Sequence, residues 1–443
     1  MKNILILILF INQFINAQEP LRVAVIGGGM AGVSAAHHLL ELKENLEITL
    51  FEKEKNIGGN ARTIQVKNNL GELVSIDAGP QYFENELWAN YIQFLKAYHL
   101  FNESEIYSFA GSAVIENDIN EKPDFITPEG LDFRGGGLKK GMQFLKFFKA
   151  ARKVHLEKDE YPATVGEWVK TLKLKDEFKK TIALPFLAST LGSSVEQIKT
   201  CSTKDIVKLF ASQKAMKRSE FRVFQKGMGT LIQEVGIQLE EKGVHIIRSA
   251  EVKSVKVMTG KYAVDYNEKE ELFDFIIFAT HPYQAGIILE TENSLSEIAN
   301  VLMLFEYFQT SIVLHRDSSF VHQGDVSFMN IKTSLATNYV ISSTMNLVVV
   351  NPEWNGLYKS WMTEQDLERV KSLGKFIHQE TFYHPLITPQ FHNHLQALKQ
   401  LEKSQPNIYF AGGWSEGLET QETATNSGKK AAEKVKAYID LQK

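Results

Sequence analysis

Apolar and polar positions alternate along this chain in two rhythms, one of strands and one of helices. Leu21 to Ile26 is almost wholly apolar with little alternation, as in a strand buried on both faces of a parallel sheet. A helix is predicted over Ala31 to Leu42 and a second strand over Glu47 to Phe51, which together make a strand-helix-strand unit. Residues 64 to 80 suggest a short strand pair. From there to about Phe210 apolar residues recur at spacings of three and four, which predicts a mostly helical stretch. Its helices fall at Trp88 to Tyr98, Leu138 to Val154, Val165 to Leu172 and Lys175 to Leu187. After Gly227 and Gly229 comes an amphipathic helix, then strands at His245 to Ile247, Val252 to Val257, Tyr262 to Tyr266 and the very apolar Phe273 to Ala279. Residues 290 to 400 mix strands and helices, and the chain closes on a strand at Ile408 to Ala411 and a helix from about Thr423 to Tyr438. Strands suited to the first unit therefore recur at separated places. The expected fold class is α/β: a Rossmann-type domain assembled from residues 21–85, 225–290 and 401–443, with an α+β substrate domain inserted as residues 86–224 and 291–400.

With 443 residues, two domains are the default. A hydrophobic share of 44% and a charged share of 23% are those of a globular protein. The 49 basic and 53 acidic residues leave a net charge of -4 without a basic stripe, which argues against a nucleic-acid partner. Residues 1–17 read as an export signal: Lys2 supplies the positive start, Ile4 to Ile11 the apolar run and Ala17 the small cleavage residue. That run is too short to span a bilayer, so no stable transmembrane span is expected in the mature protein. A buried strand or a retained anchor is the competing reading. With no twin-arginine pair the general secretory route is implied, hence a periplasmic or secreted protein that meets its cofactor after export. Cys201 is the only cysteine, which excludes an internal disulfide and every Cys-x-x-Cys motif, and no metal-ligand set is read.

The stretch VAVIGGGMAG places Gly27, Gly29 and Gly32 in Gly-x-Gly-x-x-Gly spacing between a strand and a helix. Gly27 permits the tight turn, Gly29 lets the backbone approach a pyrophosphate, and Gly32 allows close packing of helix on strand. Met30 and Ala31 lie in the first helical turn, where the pyrophosphate would rest. Glu52, 25 residues beyond Gly27 at the end of the second strand, is placed to accept from ribose hydroxyls, with Lys53 beside it. In KNIGGNART, Gly58 and Gly59 form a turn that side chains would block, Asn60 follows, and Arg62 can reach a phosphate. No second glycine fingerprint follows a strand, so a separate NADPH site is not supported.

These pieces, GGGMAG, Glu52 and GGNART, together with FAGGW and SGKKAA near the C-terminus, resemble the FAD-dependent amine oxidase superfamily, which also holds phytoene-desaturase-type and protoporphyrinogen-oxidase-type enzymes. Within it, ATHP, FYHP and FAGGW are most similar to bacterial amine-oxidase-like NAD/FAD-binding proteins. The motifs cover both ends and residues 226–290, while the inserted domain matches loosely. The resemblance implies a glutathione-reductase-like domain with non-covalent FAD. Asp77, Gly79 and Pro80 would approach the flavin, Val252 would pair its backbone with the adenine, and Gly412, Gly413 and Trp414 would line the ribityl chain and ring. The terminal helix from Thr423 would aim its N-terminus at the pyrimidine edge of the flavin. Two positions depart from the pattern: Gly413 stands where many relatives carry an acid, and Thr420 where amine oxidases place an aromatic.

Gln81, Tyr82, His281, Trp414 and Thr420 are the pocket candidates. His281 can equally be a turn residue before Pro282, and His384 fits a turn set by Pro385. The lysine usual in the superfamily has no secure counterpart, Lys332 being one possibility. His37 and His38 read as packing or surface residues, Cys201 as a small buried one, and the stripe Phe144, Phe147 and Phe148 as core rather than a lipid gate. The function implied is hydride transfer from a small or lipid-like organic substrate to FAD, with oxygen or another electron acceptor. Desaturation and double-bond isomerisation of a polyene or fatty acyl chain remain open. So does a non-catalytic escort role on the same fold, against which the full set of cofactor-binding residue types argues. Oligomeric state is not written in the sequence.

Overall fold

The computed structural model describes residues 19–85, 87–118, 125–127, 137–157, 163–211, 220–324, 326–334 and 339–443, so the expected export signal at residues 1–17 lies outside them. A five-stranded parallel sheet is built from β1 (Leu21–Ile26), β2 (Leu46–Phe51), β3 (His245–Ile247), β4 (Phe275–Phe278) and β5 (Ile408–Phe410), in the spatial order β5-β4-β1-β2-β3. Val23 pairs with Phe275, Thr49 with His245 and Ile276 with Ile408, so chain segments far apart in sequence share one sheet. The inner residues of β1, β2 and β4 are almost all apolar because both faces are covered, while Arg22 and Glu47 lie at the partly exposed strand starts. One face packs α1 (Met30–Glu41), α2 (Met228–Glu241) and the terminal helix α3 (Gln421–Gln442) around Val23, Val25, Leu50 and Ile277. The other face packs Ala24, Ile26 and Phe278 against Leu289, Leu302 and Leu395.

The inserted part is built on a second, seven-stranded sheet. Its order is Phe376–Pro385, Tyr307–His315, Tyr358–Met362, Tyr339–Asn346, Met329–Ser334, Ala113–Asn117 and Phe125–Thr127. Two of these strands lie in the stretch expected to be mostly helical, and a third strand there, Ile106–Ala110, pairs antiparallel with Glu220–Phe224. The correction has a simple cause: these strands are three to five residues long, too short for an alternation to stand out, and Ala113–Asn117 takes one of its two partners, Met329–Ser334, from far along the chain. Helices cover this sheet, with Phe147 fully buried and Phe144 and Phe148 packed on Phe186 and Phe210, the core role expected of that stripe. Among the described residues no helix is long and apolar enough to cross a membrane.

Candidate functional site

The carboxyl ends of β1 and β2 carry two glycine turns that face each other. Gly27 has φ +110, and a side chain there would meet the Ala279 carbonyl at 2.6 Å. Gly32 is the tightest point, where an added Cβ would lie 1.9 Å from the Gly27 carbonyl oxygen. Across the cleft, the Gly58 N–H donates to the Gly28 carbonyl at 2.8 Å, and a Cβ on Gly59 would come within 3.1 Å of Gly29 Cα. The cleft between the turns is therefore walled by backbone, with the N-terminus of α1 opening onto it, a cradle suited to a pyrophosphate.

Glu52 closes one end. Its Oε2 accepts from the Gly28 N–H at 2.8 Å and its Oε1 from the Glu54 N–H at 2.8 Å, which leaves each oxygen a lone pair for a sugar hydroxyl. Burial raises this carboxyl above its ordinary range, and the two backbone donors oppose the rise. Lys53 is exposed beside it. Backbone bonds from Ser249 to Glu54 and from Ala250 to Glu52 carry Val252 to this end of the cleft, where an adenine would lie. Arg62 sits half-exposed, bonded to the Gly59 carbonyl and to Glu380 at 2.7 Å, so it borders the turn already paired. Asn60 is locked in place because its carbonyl abuts Gly79, where a Cβ would approach to 1.9 Å. Pro80 continues that wall.

At the opposite end β5 leads into Gly412 and Gly413, and α3 begins. Thr420 caps α3: its hydroxyl accepts from the Thr423 N–H, and the Thr423 hydroxyl returns to the backbone of Leu418 and Thr420. Both side chains are spent on the helix start, so position 420 offers the cleft a cap instead of an aromatic face. The cap also explains why the helix begins at Gln421, ahead of the predicted start. α3 crosses α1 at Gly428, where a Cβ would lie 2.3 Å from the Ala31 carbonyl, and Ser34 Oγ donates to the Thr425 carbonyl at 2.7 Å. Sequence positions some 390 apart thus meet at one contact.

Several expected pocket residues point elsewhere. The Trp414 indole is 1% exposed, donates to the Thr280 carbonyl and packs edge-on against Phe305, so it braces the Gly412 turn from the core side while only its backbone borders the cleft. The half-buried Tyr82 ring packs against Phe221 and Phe328 at the edge of an aromatic cluster. Asp77 turns its carboxylate to the start of α2, accepting from Met228 N–H at 2.9 Å and from Thr63 Oγ1 at 2.5 Å. Its contribution to the cleft is therefore the chain that follows it. Lys332 donates to the Ser319 carbonyl at 2.6 Å and lies near Glu116, away from the cleft. His37 is buried against Tyr98, and Cys201 is fully buried with its thiol pushed up to about 12, both structural.

Two groups of buried polar residues include members that the sequence did not single out: Lys359 in one, and in the other Tyr307 and Glu419 beside the expected His281. Lys359, 2% exposed on strand Tyr358–Met362, donates to the carbonyls of Asp77 at 2.8 Å and Gly79 at 2.6 Å and to Gln81 Oε1 at 3.2 Å. Burial lowers its pKa to about 7. In sequence it looks like any strand lysine, and only the approach of two domains buries it. The second group gathers near the end of β4: the His281 ring stands 4.9 Å from that of Tyr307, beside which lies Glu419. His281 Nδ1 is buried without a protein partner, and the Tyr307 hydroxyl and the Glu419 carboxyl lie buried against each other. Burial pushes Glu419 up to about 8 and both His281 and His384 down to about 4, so all three are uncharged at neutral pH. A Ser-His-Asp likeness at Ser360, His315 and Asp317 is structural. His315 Nδ1 accepts the Asp317 N–H at 3.1 Å, so its proton sits on Nε2 and is given to Ser360 Oγ at 2.7 Å, leaving no base.

Because the folded Glu419 carboxyl titrates above its unfolded value, the folded state holds the extra proton between about pH 4.5 and 8, and stability falls as pH rises through that window. Glu419→Gln is expected to raise the thermal midpoint of the apoprotein by a margin that widens from pH 5 to pH 8.5. A margin that stays flat would mean that Glu419 is ionised throughout.

Comparison with known proteins adds to this picture. Residues 25–96 match the NAD(P)-binding Rossmann-like domain. The chain is 22% identical over 301 residues to the coproporphyrinogen III oxidase of Staphylococcus aureus, covering 59% of this chain and 60% of that protein. It is 33% identical over 60 residues to the protoporphyrinogen oxidase of Saccharomyces cerevisiae, covering 14% of this chain and 11% of that one. The match thus spans about three fifths of the first relative's length. Among solved structures, cyclohexylamine oxidase from Brevibacterium oxydans aligns with a TM-score of 0.68 at 15% identity, covering 95% of this chain and all of that one. The fatty acid isomerase of P. acnes that produces CLA aligns at 0.66 and 11%, covering 94% and 98%. Putrescine oxidase with bound putrescine aligns at 0.65 and 13%, covering 94% and 99%. Over nearly its whole length the chain therefore has the fold seen in cyclohexylamine oxidase and putrescine oxidase.

Proposed function

We propose that the protein is an FAD-dependent oxidoreductase that holds its cofactor non-covalently. The observation that carries this reading is the close approach of Gly29 and Gly59, a cleft walled by backbone where any side chain would occupy the space. The Gly27–Gly32 turn and the start of α1 would hold the pyrophosphate, Glu52 the adenosine ribose and the Val252 backbone the adenine. Gly412, Gly413 and the N-terminus of α3 would border the flavin end. When bound, FAD supplies hydride acceptance from a small or lipid-like organic substrate, with oxygen or another acceptor taking the electrons. The chain's own contribution is positioning and exclusion of water: the Gly79–Gln81 wall is rigidly tied to Lys359, and the α3 dipole favours negative charge at its N-terminus.

A second reading, desaturation or double-bond isomerisation on an uncharged fatty acyl or polyene substrate, is favoured by one feature. Glu419, the acid of the His281 group, is raised to about 8 by burial and so is protonated at pH 7, giving an ammonium no fixed negative charge to pair with. Purified protein should show flavin absorbance, on isolation or after reconstitution with FAD. Anaerobic addition of amines, polyenes and fatty acids then discriminates the readings: bleaching by an amine supports amine oxidation, and isomerised product without net bleaching supports the second. Absence of any flavin binding would leave the escort reading in its place. Residues 1–17 would act as the export signal, and an intact Met1 on the soluble protein would rule that out.

A further inference from the structure

Gln81 is 3% exposed, yet its side-chain amide is only half satisfied. Its Oε1 accepts from Lys359 Nζ at 3.2 Å, while its Nε2 is buried with no partner in the protein. Which end of an amide is oxygen is normally settled by its surroundings, and here they settle it. Below its pKa of about 7 the Lys359 ammonium has three hydrogens and no lone pair, and two of those hydrogens go to the backbone carbonyls of Asp77 and Gly79, which cannot turn round. The third can only be given to oxygen, so the NH2 group faces away from Lys359.

The direction matters because of what lies on each side. Lys359 approaches from the seven-stranded sheet, whereas Gly79, two residues before Gln81, presses against Asn60 of the second glycine turn. Chain segment 79–81 thus lies between the inserted sheet and the second glycine turn. A buried NH2 left unpaired is costly, and such groups are rare in native proteins unless a ligand or water completes them.

We propose that Lys359 is a positioning residue that fixes the Gln81 amide so that Nε2 donates to a hydrogen-bond acceptor, a carbonyl oxygen or imine-type nitrogen, on the ring of the bound flavin. The inference rests on the reading of the cleft as an FAD site. Gln81 then acts on the cofactor directly and Lys359 acts through it.

The decisive variant is Gln81→Glu. It preserves the shape of the side chain and accepts the same Lys359 hydrogen, now as an ion pair, but has no N–H to give. Titration of apoprotein with FAD at pH 6, followed by flavin fluorescence, visible band positions and midpoint potential, reads the effect without substrate. Gln81→Glu is expected to keep the apoprotein's thermal midpoint at or above that of the parent while binding FAD about tenfold more weakly, as when a buried donor is lost, with displaced visible bands. Lys359→Met should displace the bands in the same direction, and Lys359→Arg should restore them in part. If Gln81→Glu binds FAD as tightly as the parent with unchanged bands, the amide faces water or substrate and the proposal falls. If Gln81→Glu changes the bands but Lys359→Met folds and does not, Lys359 has no positioning role and the proposal falls in that part. Should the parent protein itself bind no FAD, it is the cofactor reading that fails, a result distinct from either of these.

Discussion

Gly32→Ala is expected to leave a protein that cannot retain flavin. The new Cβ would sit 1.9 Å from the Gly27 carbonyl oxygen and 3.2 Å from Ala279 Cβ. Neither neighbour can yield cheaply. The Gly27 N–H is bonded to the Phe51 carbonyl at 2.8 Å, and Ala279 is bonded to Ile26 at 2.8 Å, so both belong to the ends of the parallel sheet. Relief requires the first turn of α1 to lift off β1, which widens the turn intended for the pyrophosphate. An overpacking cost of ~3 kcal/mol spent on the cofactor-competent shape corresponds to ~100-fold weaker binding. Equilibrium dialysis against FAD, with absorbance of the retained flavin, measures this directly. Gly374→Ala serves as the control, because that glycine has φ +64 but nothing within 4 Å of an added Cβ, so only the backbone preference of ~1 kcal/mol should be lost. If Gly32→Ala keeps parental affinity, the fingerprint turn is not the cofactor grip.

Gly428→Val should separate the two ends of the chain. A side chain at this position would meet the Ala31 carbonyl at 2.3 Å, the Ala35 nitrogen at 2.7 Å and Ser34 Cβ at 2.8 Å, all of them on α1. The helices can accommodate it only by moving apart, which breaks the bond from Ser34 Oγ to the Thr425 carbonyl and uncovers Ala431, Ala432 and Val435 from the core. The expected loss is ~3 kcal/mol of stability, seen as a lowered thermal midpoint, together with weaker flavin retention because α3 aims the flavin end of the cleft. Since Glu422 of α3 also accepts from the Asn90 and Tyr91 N–H groups, helix Ala89–Ala97 should loosen with it, detectable as faster amide exchange over that segment. A variant with parental midpoint and flavin affinity would mean that the crossing does not hold the site together.

Both effects arise at glycines, and glycines were what made the chain readable. Gly27, Gly32, Gly58 and Gly59 announce a backbone-walled turn because a side chain there would meet backbone or need a left-handed φ, and the flanking strands are largely apolar because they are buried on both sides. The acid at Glu52 and the terminal strand and helix were legible for the same reason: each depends on a local pattern. The pocket-side residues were not. Trp414 read as an aromatic pocket wall, yet its ring turns into a core, since a large apolar surface gains more from burial than from lining a polar cleft. Thr420 became a helix cap because a hydroxyl before a helix finds unpaired N–H groups at hand.

What the linear chain settled, then, is the cofactor half of the molecule, where backbone geometry demands particular residues at particular spacings. What required the folded chain is the identity of the charged and polar groups behind the cleft. Lys359 comes from a strand some 280 residues beyond Asp77 and Gly79, and Glu419 meets Tyr307 from another domain segment. Their altered acidity is created by burial between domains, a property no residue carries in its own neighbourhood along the sequence.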